Sequence, residues 1–325
     1  MSGGADVTVV ILHWGAAEVT ARCLRSLREV AWPGRGAVVL VDNTGALDAG
    51  LAARAAPLPV RIVRPGRNLG FAEGCNLGIS LAAERDSDFI LLLNNDVVVE
   101  PGFLAPLVTA AIRRDAVALV SPHIVRLGRP GEGWYQGGSF SLWSGIPVQG
   151  HRRPALDRSG PPREVDYATG CAMLIRPAVV PRIGSFDGRL FAYCEDLDLS
   201  IRARRAGFRV LCVPASVVHH DVSDEPDRAA LRIYYSTRNL LEVMRKHAAW
   251  YHWLGFVPSF LARWIGFFVV LALVRRQPSS LSALATGVVD GVRRRLGPSP
   301  WIDDNRSHPP AGAEPGPGPR STCRS

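Results

Sequence analysis

Lysine is almost missing from this chain, because Lys246 is the only one of its 38 basic residues that is not an arginine. The arginine bias is typical of a GC-rich coding sequence and carries no functional argument by itself. The net charge of +9 is unevenly spread, since residues 230–325 hold 13 basic and 5 acidic side chains. The first two thirds are therefore almost neutral, and we expect any basic surface in the C-terminal third.

Closely spaced cysteines and an export signal are also lacking. The six cysteines form no Cys-x-x-Cys pair, and the residues before Val7–Leu12 contain neither a basic flank nor an apolar signal core. Scattered thiols without an export signal are typical of a reducing compartment. We therefore expect a cytoplasmic protein whose cysteines fill core positions.

Two phosphate-binding fingerprints are missing as well. Gly70, Gly74 and Gly78 recur every four residues, but the chain contains neither GxGxxG nor GxxxxGK[ST]. A dinucleotide-binding oxidoreductase or a P-loop nucleotidyltransferase loses its main support without such a loop. The glycine spacing instead predicts one face of a helix that packs closely on a sheet.

The N-terminal half alternates short apolar runs with helical stretches. The runs are rich in β-branched residues and comprise Val7–Leu12, Ala37–Val41, Val60–Val63, Phe89–Leu93 and Val117–Ile124. Apolar strands separated by helices predict an α/β fold, with a mostly parallel sheet that helices cover on both faces. Ligands of such sheets bind beyond the carboxyl ends of the strands, so the polar residues found there are candidates for a site.

Polar residues follow four of these strands. They are His13, Asp42-Asn43, Arg67-Asn68 and Asn94-Asn95-Asp96. Asp42 fits either a contact with a nucleobase or ribose or a helix cap. Asp96 fits either a turn or a ligand that holds Mg²⁺ or Mn²⁺ against a diphosphate, because these cations prefer oxygen ligands.

An acidic cluster, Glu195-Asp196-Leu197-Asp198, lies in the second half. Three carboxylates in four residues repel one another unless they meet a cation or a helix N-terminus. Asp198 stands four residues before Arg202, and we expect the two to pair on a helix surface. This leaves Glu195 and Asp196 as candidates for a general base.

Two further candidates follow the acidic cluster. The pair His219-His220 comes after an apolar run, and it is ordinary polar surface unless the fold brings it back to Asp96. Arg238 lies in a helical stretch, where it either binds a diphosphate or pairs with Glu242 one turn away.

The order of these motifs resembles that of the family 2 glycosyltransferases, and within them of bacterial rhamnosyltransferase-like enzymes that build cell-wall and surface polysaccharides. The resemblance covers residues 6–245 and includes Val41-Asp42-Asn43, Arg67 to Ala72, Leu91 to Asp96, Gly170 to Arg176, Gly184 to Asp187, Phe191 to Leu199 and Arg238-Asn239. Asn94 stands where the first carboxylate of the usual Asp-x-Asp pair would be. The QxxRW element of processive synthases is missing, which favours the addition of one sugar per encounter.

The resemblance implies a GT-A fold, a divalent metal (Mg²⁺ or Mn²⁺) and inversion at the anomeric carbon. It implies that Asp196, with Glu195 as the second candidate, is the base. It implies that the nucleotide sugar is bound by His13, Asp42, Arg67, Asn68, Asn95 and Arg238. It implies that the metal is bound by Asp96 and His219. The implied reaction transfers a sugar from a nucleotide-diphosphate sugar to a hydroxyl of a glycan or polyprenyl-linked acceptor in envelope polysaccharide synthesis. A catalytically silent nucleotide-sugar-binding scaffold is the alternative, which the two retained carboxylate sites disfavour.

The C-terminal third is expected to form separate units. We divide the chain into a GT-A domain (1–246), an apolar and basic helical extension (247–297) and a disordered tail rich in proline and glycine (298–325). Arg263 splits the apolar stretch into uncharged parts of 15 and 11 residues, each shorter than the ~20 that a spanning helix needs. With arginines on its flanks, the extension is expected to lie on the cytoplasmic face of an anionic membrane. Packing on the catalytic domain and a hairpin of two short embedded helices are the alternatives.

Overall fold

The computed structural model describes residues 4–113, 116–150, 158–222 and 226–299. Its strands are β1 (Val7–His13), β2 (Gly36–Asp42), β3 (Val60–Val63), β4 (Phe89–Asn94), β5 (Val97–Val99), β6 (Val117–Arg126), β7 (Arg129–Tyr135), β8 (Gly138–Ser139), β9 (Val148–Gln149), β10 (Arg163–Glu164), β11 (Ala172–Ile175) and β12 (Arg209–His220). Its α-helices are α1 (Ala17–Leu27), α2 (Gly70–Ala83), α3 (Leu104–Ile112), α4 (Val180–Ile183), α5 (Glu195–Arg205), α6 (Pro226–His247), α7 (His252–Ser259), α8 (Gly266–Val274) and α9 (Pro278–Arg293). Between β2 and β3 the chain forms a 3₁₀-helix, Ala49–Ala55, where the sequence predicts a helical stretch over residues 47–55.

One large sheet organises the molecule, in the order β10-β12-β6-β11-β4-β1-β2-β3, with β5 added on β12 and β7 on β6. Strands β3, β2, β1 and β4 are parallel, which confirms the expectation for the N-terminal half. The sheet becomes mixed beyond β4, because β11 lies antiparallel between β4 and β6.

Helices cover the central strands on both faces. Side chains alternate along β1, so Val9 and Ile11 join one buried cluster while Val10 and Leu12 join the other. The glycine stripe of α2 permits its close approach, since a Cβ at Gly78 would overlap Val10. The expected close packing of this helix is therefore confirmed.

The second half differs from the sequence-based expectation in two places. The stretch 128–160 is rich in glycine, tryptophan, arginine and proline, which predicts a long ordered loop or an acceptor-side insertion. It contains β7, β8 and β9, while residues 151–157 lie outside the described part of the chain. The His219-His220 pair, expected on an exposed loop, ends strand β12, whose pairing with β6 shifts register between Val213 and Val217. The strand continues beyond this irregularity because β5 pairs with its end.

The C-terminal helices pack on the rest of the chain. Helix α9 lies along α6, where a Cβ at Gly287 would overlap the backbone of Tyr234. Gly297 donates its N–H to the Arg189 carbonyl over 2.7 Å, and the Ser299 N–H bonds to the Tyr235 hydroxyl over 2.7 Å. Ser299, in the expected disordered tail, is thus bonded to the domain, and residues 300–325 lie outside the described part.

A continuous helix from His252 to Val274 joins α7 and α8 through a π-helical turn, Phe260–Ile265. Within the described residues it is the one helix whose length, 23 residues, and composition suffice to cross a membrane. The helix runs through Arg263, so the alternative of a hairpin of two short helices is wrong. Length alone does not exclude a span.

Candidate active site

Asp42 ends β2 beside His13 of β1 and is fully enclosed by its own loop. Its carboxylate accepts the N–H groups of Thr44 (3.0 Å), Gly45 (2.9 Å) and Leu47 (3.0 Å). Burial alone would raise the pKa of Asp42, but these hydrogen bonds lower it below its usual value. The carboxylate therefore secures the loop after β2 and does not cap a helix, since the following helix, Ala49–Ala55, has Asp48 as its N-cap.

His13 and Asn95 lie at the carboxyl ends of β1 and β4 and belong to one hydrogen-bonded network. The Nδ1 of His13 is 2.7 Å from the Thr20 hydroxyl, and the Asn95 amide donates to that hydroxyl (2.9 Å) and to the Trp14 carbonyl (3.1 Å). Burial lowers the pKa of His13, so the ring is neutral near pH 7. The network positions Trp14, which is 46% exposed, at this edge of the sheet.

The loop before α2 is fixed by Asn43, a residue to which sequence analysis gave no separate role. Its side chain donates to the Gly70 carbonyl (3.0 Å) and accepts the Leu69 N–H (3.3 Å). Asn68 accepts the Gly70 N–H over 2.9 Å, while Arg67 is exposed and pairs with Glu73 at 3.2 Å. Arg67 is therefore the accessible cation of this loop.

Asp96 meets His220 rather than His219. The His220 Nε2 lies 3.2 Å from the Asp96 Oδ1, whereas His219 bonds to Glu100 at 3.1 Å. The placement of His219 at the metal was therefore wrong. Consecutive strand residues face opposite sides of a sheet, so only one of the pair can face Asp96, and the sequence gives no sign of which.

The residues around Asp96 fit a divalent cation. Its Oδ1 is buried beside the imidazole of His220, and the Nδ1 of that imidazole has no hydrogen-bond partner in the described part of the chain. No three His, Cys, Asp or Glu side chains among the described residues form a metal-binding group. Mg²⁺ fits such a sparse site, because it is usually held by one or two carboxylates, waters and the phosphates of a substrate.

Asp196 stands in the first turn of α5 and is partly exposed. Its carboxylate accepts the N–H groups of Gly170 (3.0 Å) and Leu197 (2.8 Å). The residue after Gly170, Cys171, accepts the Asn94 N–H over 2.9 Å. Two adjacent residues just before β11 therefore contact the base candidate and the end of β4. Burial raises the pKa of Asp196, against the effect of the two N–H groups, which suits a proton acceptor.

Glu195 differs from its neighbour, because its side chain is only 4% exposed and lies in the interior near Cys75. Burial, and then the charge of Asp196, raises the pKa of Glu195 well above its usual value. A buried carboxyl does not reach an acceptor, so the geometry separates Glu195 from the role of base. Asp198 pairs with Arg202 at 2.9 Å, as their spacing predicts, but the carboxylate is fully buried and does not lie on the helix surface.

Arg238 supports neither of its two expected roles. The side chain is fully buried, and its guanidinium donates to the carbonyls of Leu190 (2.9 Å) and Gly297 (2.6 Å). Glu242 instead faces Arg245 (3.6 Å) and Arg294 (3.2 Å). No donor of Arg238 is exposed to a diphosphate, and the expectation of such a contact is corrected accordingly.

A mostly parallel sheet with carboxylates over its carboxyl edge defines a nucleotide-sugar-binding α/β domain of the GT-A type. Its fold is shared by a mannosyltransferase from Pyrobaculum calidifontis solved with GDP-mannose and Mn²⁺, at a TM-score of 0.55 and 15% identity over 90% of each chain. Residues 5–252 match the family model described as glycosyltransferase like family 2. The chain therefore belongs to glycosyltransferase family 2.

Two curated relatives are rhamnosyltransferases. An N-acetylglucosaminyl-diphospho-decaprenol L-rhamnosyltransferase from Mycobacterium tuberculosis is 27% identical over 237 residues, which are 66% of this chain and 76% of the relative. Rhamnosyltransferase WbbL from Escherichia coli is 27% identical over 178 residues, 47% of this chain and 62% of the relative. The chain is thus a rhamnosyltransferase-like enzyme of sugar transfer in glycan biosynthesis.

Proposed function

We propose that the protein transfers a sugar, with inversion, from a nucleotide-diphosphate sugar to a hydroxyl of a glycan or lipid-linked glycan acceptor in envelope or surface polysaccharide synthesis. The observation that carries this proposal is the placement of Asp96 and Asp196 around Cys171. One carboxylate lies beside His220, and the other is fixed by two amides. A leaving-group site and a base on different segments are what a single displacement requires.

On the donor side, Asp96 and His220 would hold a Mg²⁺ or Mn²⁺ ion. Such a cation offsets the negative charge that develops on the departing diphosphate. The solved mannosyltransferase that shares the fold contains Mn²⁺ with its nucleotide sugar, which supports the assignment. Arg67, exposed on the loop before α2, is the accessible side chain for the nucleotide.

On the acceptor side, Asp196 takes the proton of the attacking hydroxyl. The hydroxyl has a pKa far above neutrality, so proton removal as the new bond forms contributes about 10²–10⁴-fold to the rate. The Gly170 and Leu197 amides hold the carboxylate while leaving its lone pairs available for a third bond.

The alternative is a silent scaffold that binds nucleotide sugars. A scaffold needs only the donor side of the site, and it gives no reason for a carboxylate at Asp196 that two amides hold beside the end of β4. The deciding experiment incubates the purified protein with UDP-, dTDP- and GDP-sugars, with Mn²⁺ or with EDTA, and measures nucleoside diphosphate release. We expect release from one donor class and only with metal. Binding without release would favour the scaffold.

A lipid-linked acceptor fits the position of the C-terminal helix. Phe256 and Phe260 bury one side of this helix in a cluster that includes Cys194, two residues before Asp196. The Mycobacterium tuberculosis relative is named for a decaprenol diphosphate acceptor. We therefore infer that the helix brings the active site next to a membrane that contains a polyprenyl-linked acceptor.

The other side of the helix is an exposed apolar stripe. Leu254, Leu261, Phe267, Val270 and Leu273 are each 57–69% exposed. Because Phe256, Phe260 and Ala272 pack on the protein along the same helix, we propose that the helix lies in the membrane plane rather than across it. Arg275 and Arg276 follow its end and favour anionic headgroups.

Flotation of the full-length protein with vesicles tests this contact. We expect binding to vesicles of phosphatidylglycerol and phosphatidylcholine, and weaker binding to phosphatidylcholine alone. Leu261→Glu combined with Phe267→Glu should abolish binding, because two charges would enter the apolar layer. Ile112→Glu is the matched control, since Ile112 is 55% exposed on α3, away from the stripe. Equal flotation of all variants would refute the membrane proposal and leave the enzymatic proposal untouched.

A further inference from the structure

Three of the four residues 191–194, which lead into the base candidate, have a strained backbone. Phe191, Tyr193 and Cys194 have φ angles of 66°, 67° and 67°, in the left-handed half of conformational space that side chains disfavour. Phe191 has ψ −61° and the Ala192 N–H bonds to the Leu190 carbonyl over 2.8 Å, which defines a γ-turn of the rarer, strained kind. Such a conformation persists only where the surroundings fix it.

Two neighbouring side chains of α6 fix it. The Asn239 amide nitrogen lies 2.8 Å from each of the carbonyl oxygens of Leu190, Ala192 and Tyr193, which share its two hydrogens. The Arg238 guanidinium donates to the same Leu190 carbonyl, and its Nε donates to the Asn239 Oδ1 over 2.9 Å. Both side chains have no exposed surface, so neither is available to a substrate.

The strained segment joins both halves of the site. The γ-turn directs the Phe191 carbonyl to the first turn of α2, where it accepts the N–H groups of Phe71 (2.7 Å) and Ala72 (3.0 Å). That turn follows the loop that carries Arg67 and Asn68. At its other end, Cys194 is the N-terminal cap residue of α5, the helix whose first turn contains Asp196.

We propose that Arg238 and Asn239 are positioning residues for sugar transfer, which hold segment 190–194 in its strained form and so fix the base relative to the donor loop. This inference rests on the proposed function for its kinetic consequence. It also explains why a buried arginine, with its high desolvation cost, is kept in the interior: the carbonyls of Leu190 and Gly297 satisfy it.

Asn239→Asp is the sharpest test, because it keeps the shape and replaces the donating amide by a carboxylate that faces three carbonyl oxygens. We expect kcat to fall about 100-fold, as for other supporting groups of an active site, while the affinity for the nucleoside diphosphate stays within about threefold. Arg238→Lys, which keeps one donor, should lose less. Cys194→Gly should restore part of the loss in the Asn239→Asp background, since glycine adopts a positive φ without strain.

Two control variants separate positioning from general stability. Asn76→Asp disrupts a similar clamp, in which Asn76 bonds to the Phe186 carbonyl and N–H (2.9 Å each), on a segment that does not carry the base. It should lower the unfolding temperature as Asn239→Asp does and leave kcat within a few-fold. Arg232→Lys, at an exposed site of α6, should change neither quantity. A kcat in Asn239→Asp that matches the Asn76→Asp value, or a parallel loss of nucleotide affinity, would overturn the proposal.

Amide hydrogen exchange tests the clamp without any reaction. Exchange of residues 190–198 should be faster in Asn239→Asp than in the parent protein, and unchanged in Asn76→Asp. If no donor supports release of nucleoside diphosphate by the parent protein, the enzymatic proposal fails while the exchange result still decides the clamp. Unchanged exchange in Asn239→Asp would refute the clamp whatever the activity.

Discussion

The donor edge and the base segment are held in opposite ways. Asp42 is secured by residues two to five positions away, and Asn68 by the next residue but one. The segment before Asp196 is held by Asn239, more than forty positions away, against its own backbone preference. Asp42 and Asn68 are therefore held by local contacts, whereas the segment before the base depends on side chains of a distant helix.

The largest expected effect is the loss of sugar transfer when the base candidate, Asp196, is replaced. Asp196→Asn keeps the size of the side chain and removes the proton acceptor, so we expect transfer to fall about 10²–10⁴-fold. Nucleotide-sugar affinity, measured by calorimetry, should survive because the donor edge is untouched. Transfer within a few-fold of the parent value would remove Asp196 from the role of base.

The next largest effect is expected on the donor side, when Asp96 is replaced. Asp96→Asn should lower kcat/KM about 100-fold, since it weakens the group placed to hold the charge-stabilising cation. Titration with Mn²⁺ should then give a flat response. His220→Ala should cause a milder loss of about 10-fold, and His219→Ala should cause little, because His219 faces Glu100. A larger defect in His219→Ala than in His220→Ala would contradict the geometry.

A smaller effect on activity, with a clear effect on stability, is expected at Asp42. Asp42→Ala removes the acceptor of three N–H groups, and we expect the free energy of unfolding to fall by about 2–4 kcal/mol. Urea denaturation measures this loss. Unchanged stability with weakened nucleotide binding would instead assign Asp42 to the nucleobase, the other role that the sequence left open.

The smallest expected effect is a pH-dependent change in stability at Glu195. The pKa of Glu195 is raised in the folded state by burial and by Asp196, so folding favours its protonated form. The stability that this proton contributes is complete below the unfolded value of about 4.3 and is lost as pH rises toward the folded value. Glu195→Gln should therefore be more stable than the parent protein near pH 7, by about 1–2 kcal/mol, and equally stable at pH 4. Chemical unfolding at the two pH values measures the difference.

Much of the donor edge could be predicted from sequence. The alternation of apolar strands with helices predicts where β1, β2, β3 and β4 run, and their polar ends fall at one edge of the sheet because parallel strands share their direction. The order of motifs identified the family, which the family match confirms. These features depend on periodicity and on residues close together in the chain.

Contacts between distant segments decided the rest. Only the pairing of β12 with β5 shows that His220, and not His219, faces Asp96. Only the packing of α6 shows that Arg238 is buried against the Leu190 carbonyl instead of pairing with Glu242. The sequence by itself determined strands β1 to β4, the family and the candidate carboxylates, because local patterns encode them. The tertiary structure decided which histidine meets Asp96 and what holds Asp196, because these depend on side-chain direction and on the register of elements far apart in the chain.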